Sequence, residues 1–194
     1  MKQNLFLFCV CLLGLFSCQN KDEQQLLEQQ KDVKARAFVF TTVSNGWRFS
    51  IPTLNPDTQV LVQNWKELED FNNELRQKPK STIYAFQKKS KDLSRKVLAL
   101  NATIPAPFAK PEVRSRIAAL RTKISSINLY LNIDAIPAKK IVILVNDFNK
   151  EYGSLYRQFD EITRKNQIPK EEGESDMIRM LDPSRAIPNT PNKP

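Results

Sequence analysis

The sequence contains no histidine among its 194 residues. This absence excludes Ser-His-Asp and Cys-His nucleophile systems, histidine acid–base catalysis and imidazole metal sites. The GxSxG, P-loop and GxGxxG motifs, which mark large classes of enzymes, are also lacking. Neighbouring carboxylates do occur, but surface acids of this kind usually solvate a helix; they are Glu67, Glu69 and Asp70, and Asp160 and Glu161. We therefore expect no enzyme activity, no metal site and no cofactor.

Cysteine is scarce and is confined to one end of the chain. The three cysteines are Cys9, Cys11 and Cys18. No cysteine further along can pair with them, which excludes a disulfide framework and a zinc cluster of the CxxC type. A chain of this length can form one domain with a true hydrophobic core without such cross-links.

Long hydrophobic runs are lacking as well. The apolar run at residues 5–16 follows a short start that carries Lys2. It is shorter than the roughly 20 residues that a helix needs to cross a bilayer. A positive start followed by a short apolar run is typical of a secretion signal.

The apolar run ends in Leu15-Phe16-Ser17-Cys18. A small residue directly before a cysteine at this place resembles the lipobox of bacterial lipoproteins. The resemblance implies that residues 1–17 are a signal peptide and that acyl chains on Cys18 hold the protein on a lipid bilayer. Gln19 stands where an Asp would retain a lipoprotein at the inner membrane, which implies the outer membrane, on its periplasmic or its exposed side. The alternatives are a plain signal peptide with a coincidental cysteine, or an apolar N-terminus that is not cleaved.

Composition divides the rest of the chain into three parts. Residues 18–36 are polar and suit a tether or a frayed helix. Residues 37–168 carry regular apolar patterns and form the expected folded domain. Residues 169–194 combine an acidic run with a proline-rich end, which predicts a mostly disordered tail.

Four segments of the domain carry apolar residues at helical spacing: residues 59–76, 81–100, 111–131 and 137–162. Prolines mark the short links between them. The pattern predicts a mainly α protein, an up-down bundle of four helices. The same stripes are compatible with packing between chains, so the sequence leaves the oligomeric state open.

A β-hairpin is expected before the helices, at residues 38–51. Asn45-Gly46 lies between runs of aromatic and β-branched residues, and this pair favours the turn of a hairpin. Two strands alone are marginal in water, so the hairpin is expected to pack on the bundle. The alternative is a partner surface built from Phe38, Trp47 and Phe49.

Basic residues outnumber acidic residues by 30 to 21, and the excess falls in the second and third predicted helices. A solvated helical face, balanced by the acidic first helix, is one interpretation. A face that binds polyanions such as headgroup phosphates, lipopolysaccharide or acidic glycans is the other; its residues would be Lys88, Lys89, Lys91, Arg95, Arg114 and Arg121. Nucleic acid is disfavoured by the export signal and by the lack of any nucleic-acid-binding motif.

Two functional hypotheses follow from the sequence. The preferred one is a membrane-anchored envelope lipoprotein, a non-catalytic interaction or scaffold module that binds another envelope protein. The alternative is a binding module for anionic envelope polymers. Salt separates them, because polyanion binding weakens steeply as ionic strength rises whereas an apolar protein contact does not.

The lipobox resemblance makes a direct prediction. Cys18→Ser removes the thiol that would carry the acyl chains, and two or three such chains together would hold the protein on the membrane. We expect the variant to move from the membrane fraction to the soluble fraction, or to remain unprocessed, in cell fractionation. Membrane retention of a processed Cys18→Ser protein would contradict the resemblance.

Overall fold

Six α-helices and one short 3₁₀ helix form the secondary structure of residues 19–169, the part of the chain that the computed structural model describes. The helices are α1 (Gln19–Gly46), α2 (Pro56–Val62), α3 (Lys66–Arg76), α4 (Ile83–Ala102), α5 (Pro111–Leu131) and α6 (Ala138–Gln167), with the 3₁₀ helix at Ala106–Phe108. The predicted mainly helical class is confirmed. The predicted signal peptide, Cys18 and residues 170–194 of the predicted tail lie outside the described residues.

Local sequence explains where several helices begin. Pro56 and Pro111 open α2 and α5, where the missing N–H of proline costs nothing. Thr82 caps α4, because its hydroxyl oxygen accepts a hydrogen bond from the Ala85 N–H at 3.2 Å. The last three predicted helices accordingly appear as α4, α5 and α6, close to their expected bounds.

Three long helices pack antiparallel in chain order. The Gln87 amide donates to the Leu131 carbonyl oxygen at 2.7 Å, so the start of α4 lies beside the end of α5. Lys123 and Asp147 form an ion pair at 3.5 Å between α5 and α6. Between the three helices lie fully buried apolar side chains, among them Leu93, Val97, Ile117, Leu120, Ile124, Val145 and Phe148.

Two helices share the remaining side of the domain, between α4 and α6. The inner part of α1 packs beside the start of α4, where Phe40 meets Phe86 at 6.1 Å between ring centroids. Helix α3 begins near the other end of α4, where the Trp65 indole N–H donates to the Thr103 hydroxyl at 3.1 Å. The predicted count of four helices is therefore not confirmed, because this side is closed by α1 and α3 together.

The first predicted helix is divided in two. Helix α2 ends at Val62 and α3 begins at Lys66, with Trp65 in a non-helical conformation at ψ of 84°. The Trp65 side chain is buried, and its ring lies 5.9 Å from the ring of Phe159. Burial of this large ring outweighs the few backbone hydrogen bonds that a continuous helix would add.

The predicted β-hairpin at residues 38–51 is not present. Residues 38–46 continue α1, and residues 47–55 form no regular structure beside α6. A helix places Phe40, Val43 and Trp47 on one face, whereas a strand would turn Phe40 away from the other two. The Asn149 side chain hydrogen-bonds the backbone of this irregular segment. It accepts from the Ser50 N–H and donates to the Arg48 carbonyl oxygen, both at 2.9 Å.

Helix α1 extends beyond the other helices. Residues 23–38 are exposed, whereas Val43 and Trp47 are buried. The polar segment at residues 18–36, expected to be a tether or a frayed helix, is helical from Gln19 onward. A helix of 28 residues spans about 42 Å.

Gly46 provides a test of the contact between α1 and α6. An added Cβ would clash with Cγ2 of Val142 and lie 2.8 Å from its Cγ1, so Gly46→Ala should cost about 1–3 kcal/mol of unfolding free energy. Val142→Ala in the Gly46→Ala background should restore most of this loss. Urea denaturation measures both.

Gly153→Ala is the matched control within α6. Its new Cβ would meet only the flexible Arg157 guanidinium at 3.4 Å, so the helix should gain about 0.5–1 kcal/mol. An unchanged stability in Gly46→Ala would show that α1 does not approach α6 this closely.

Candidate functional site

A groove between α4 and α5 brings together part of the predicted basic face. It has a volume of about 670 Å³ and is here called the basic groove. Its lining residues are Tyr84, Gln87, Lys88, Lys91, Asp92, Arg95, Asn128, Leu129 and Asn132. The groove therefore combines three cations, one carboxylate, three amides and two large side chains with apolar surface.

The helical repeat places the three cations on one face of α4. Lys88, Lys91 and Arg95 are three and four residues apart, a spacing that aligns side chains along a helix. The opposite face of α4 is buried, with Phe86, Leu93 and Val97 fully inaccessible. Because the apolar face of α4 is buried, the three cations lie on its exposed face, beside α5.

Positive charge in the basic groove is only partly compensated. Arg95 pairs with Asp92, one turn earlier on α4. Among the described residues, no carboxylate lies within ion-pair distance of Lys88 or Lys91. Two exposed ammonium groups in one groove form a favourable place for an anion.

A polar contact at the base of the groove orients one amide. The Asn128 side-chain oxygen accepts from the Asn132 amide at 3.2 Å, and it shares the Ser90 hydroxyl proton, at 2.9 Å, with the Gln87 carbonyl oxygen at 2.8 Å. The Asn128 side-chain N–H groups have no hydrogen-bond partner among residues 19–169. They are available as neutral donors next to the two lysines.

The other predicted basic residues lie elsewhere. Lys89 is only 9% exposed and binds Glu74 of α3 at 2.5 Å, so it belongs to an ion pair between helices and not to the exposed face. Arg114 and Arg121 are exposed on α5, but neither lines the basic groove. Arg121 borders a neighbouring depression on α5, which shares Leu129 with the basic groove. The structure thus brings three of the six residues together.

The three aromatic residues of the predicted partner surface are separated. Phe38 is 57% exposed on α1, whereas Trp47 is 3% exposed. The Trp47 ring lies 5.2 Å from that of Phe49 and 5.1 Å from that of Phe86. Trp47 is therefore part of the core and the partly buried Phe49 packs against it, which leaves Phe38 as the exposed member of the set.

A larger groove of about 910 Å³ lies where the exposed part of α1 leaves the other helices. Its apolar walls are Val39, Phe40, Ile83 and Ile136, and its polar rim includes Asp32, Arg36 and Asp134. We call this end of the domain, formed by residues 77–82 and 132–137, the entry end. The basic groove adjoins it, because Tyr84 and Asn132 belong to the first turn of α4 and the end of α5.

A buried hydroxyl cluster lies on the other side of the domain, and the sequence did not indicate it. The Tyr152 hydroxyl donates to the Asn72 side-chain oxygen at 2.5 Å, and the Asn72 amide donates to the Tyr156 hydroxyl at 2.9 Å. Burial raises the pKa of Tyr152 well above its usual range, and burial also raises the pKa of Tyr156. The spacing of the two tyrosines on one face of α6 was visible, but their contact with Asn72 depends on how α3 packs.

Residues 19–169 contain no group of three potential metal ligands. Within the same range no helix is both long and apolar enough to cross a membrane. Comparison with models of known protein families, with curated proteins and with solved structures found no match.

The hydroxyl cluster predicts a loss of stability at alkaline pH. The Tyr152 pKa is higher in the folded chain, so the unfolded chain loses this proton first once the pH passes about 10. We expect the unfolding free energy to be unaffected by Tyr152 below that pH and to fall above it. Urea denaturation at several pH values measures this fall.

The Tyr152→Phe variant should show a smaller fall with pH, together with a loss of about 1 kcal/mol at neutral pH from the missing hydrogen bond. Tyr84→Phe is the control, because its side chain is 73% exposed and its hydroxyl has no partner among the described residues. An equal pH dependence in Tyr152→Phe and in the unchanged chain would contradict the role of the cluster.

Proposed function

We propose that this chain is an envelope lipoprotein, held on the outer membrane through acylated Cys18, and that its helical domain is a non-catalytic interaction module. The partner of this module would be another envelope protein. The proposal combines the lipobox resemblance of residues 15–18 with the exposed apolar surface of α1.

Continuity of α1 supports a mechanical link between anchor and domain. The chain is helical without a break from Gln19, the first described residue, to Gly46. Phe40, Val43 and Trp47 fasten its inner end to the domain core. A force applied to the exposed part of α1, or a partner bound there, would therefore act on the position of the whole domain.

Exposed apolar side chains on α1 carry the proposal. Leu26, Leu27, Val33 and Phe38 are each more than half exposed, at 58%, 51%, 66% and 57%. Leu26 and Val33 are seven residues apart, and a further step of seven leads to Phe40, which packs in the domain. One stripe thus begins in the core and continues onto a surface that no other described element covers. Such a stripe is typical of a helix that docks in a partner's groove or against a second helix.

Cross-linking in intact cells tests this surface. A photoreactive residue at Gln30, which lies between Leu26 and Val33 on the same face, should give an adduct with a defined envelope protein. Leu26→Ser combined with Val33→Ser should reduce the adduct by about tenfold or more, because the apolar contact is lost. Both side chains are exposed, so the unfolding free energy should change by less than about 0.5 kcal/mol.

The matched control removes two exposed apolar side chains elsewhere. Leu98 and Ile143 are 46% and 59% exposed on α4 and α6, and Leu98→Ser with Ile143→Ser should leave the adduct unchanged. If the adduct persists in the Leu26 and Val33 variant, the stripe on α1 is not the partner surface.

The basic groove favours a second candidate function, the binding of anionic envelope polymers such as lipopolysaccharide or acidic glycans. The supporting observation is the convergence of Lys88, Lys91 and Arg95 on one groove with a single carboxylate. Binding of this kind weakens steeply with salt, whereas docking through the apolar stripe of α1 does not.

A further inference from the structure

We infer that the basic groove docks on the anionic lipid surface of the membrane that carries the protein. In this arrangement Lys88 and Lys91 bind headgroup phosphates, and Tyr84 and Leu129 enter the interfacial layer. The inference rests on the proposed attachment through Cys18, which would keep the domain beside one membrane. It adds a second, non-covalent contact made by the folded domain itself.

Apolar exposure within the basic groove is the first reason for a lipid partner. Tyr84 and Leu129 are 73% and 59% exposed, although both line the same groove as the unpaired lysines. Aromatic and aliphatic side chains beside lysines suit the boundary between headgroups and acyl chains. A hydrated acidic polysaccharide would use the lysines and leave these two side chains in water.

Charge at the entry end is the second reason. Further lysines lie at this end on the connection between α3 and α4 and on the start of α6: Lys78, Lys80, Lys139 and Lys140. In residues 77–92 and 127–146 the acids are Asp92, which is paired with Arg95, and Asp134. Clustered lysines next to exposed apolar residues are attracted to membranes that contain anionic lipid, and the attraction falls off within a Debye length.

Position relative to the proposed anchor is the third reason. The exposed part of α1 leaves the domain at the entry end, where Asp32 and Arg36 face Ser81 and Asp134 across the larger groove. Residues 19–38 of this helix span about 30 Å. A bilayer that holds Cys18 therefore lies on the side of the entry end, and the basic groove would reach it with α1 lying along the bilayer surface.

Vesicle binding by an unacylated chain tests the inference. The chain from residue 18 onward, with Cys18→Ser, contains every described helix and lacks the proposed lipid. At low salt it should bind phosphatidylcholine vesicles containing about a third phosphatidylglycerol at least about tenfold more tightly than pure phosphatidylcholine vesicles. Co-sedimentation measures both affinities, and the preference should shrink as salt is raised.

Paired substitutions locate the surface. Lys88→Glu with Lys91→Glu should reduce binding to the anionic vesicles by about tenfold. Arg114→Glu with Arg164→Glu makes the same change in net charge at the opposite end of the domain and should change binding by less than about twofold. All four side chains are exposed, and circular dichroism and thermal unfolding confirm that each variant folds.

Tyr84→Ser with Leu129→Ser separates lipid from a soluble polyanion. We expect this variant to lose vesicle binding several-fold while its retention on heparin stays unchanged. Three results would each overturn the inference. They are an equal loss of vesicle binding in the lysine pair and the arginine pair, binding to heparin without binding to vesicles, and a dimer formed through this groove. The unacylated chain makes these outcomes independent of Cys18, so they would leave the proposed lipoprotein attachment standing.

Discussion

Burial of the inner part of α1 between α4 and α6 is the contact on which the rest of the structure depends. Trp47 lies against Phe86 and Phe49, Phe49 meets Phe148, and Phe148 meets Phe71 of α3. One chain of rings therefore joins α3, α4 and α6 to the segment that directly follows α1. Burying a large apolar side chain contributes about 1.5–3 kcal/mol, and each aromatic pair adds about 0.5–1.5 kcal/mol. The indole N–H of Trp47 has no partner among the described residues, which costs about 1–3 kcal/mol, so several ring contacts together outweigh the unpaired donor.

This contact also determines what is left exposed. Because α1 and α3 cover the side of α4 that carries Phe86 and Lys89, the lysines at positions 88 and 91 face α5 and solvent. Glu74 neutralises Lys89 within the covered side and lies 3.6 Å from Lys96. The same packing thus leaves two surfaces exposed. The basic groove lies on the side of α4 that α1 and α3 do not cover, and the exposed stripe lies on the part of α1 that extends past the domain.

The candidate site was predictable only in part. The three-and-four spacing of Lys88, Lys91 and Arg95 is a property of α4 alone, so the sequence could indicate that they share a face. Lys89 follows directly after Lys88 in the same basic run, and its assignment to the ion pair with Glu74 needed the position of α3. Arg114 and Arg121 lie on the same face of α5 as Asn128, but nearer the start of the helix, so neither lines the groove. All of these residues contribute equally to the net charge, but helix packing places only Lys88, Lys91 and Arg95 in the groove.

The sequence by itself indicated that α4, α5 and α6 exist, and it gave the bounds of α5, because their apolar stripes and prolines are local signals of helical period; α6 continues to Gln167, beyond its predicted end at residue 162. It also determined that no histidine chemistry is available. Only the tertiary structure decided that residues 38–46 are helical, that Trp65 divides the first predicted helix, and that Asn72 joins two buried tyrosines. Asn45-Gly46 and the aromatic residues around it are locally compatible with a hairpin, but two isolated strands bury little. A helix buries Phe40, Val43 and Trp47 together, and that gain exists only because α4 and α6 present a matching apolar surface more than 30 residues further along the chain.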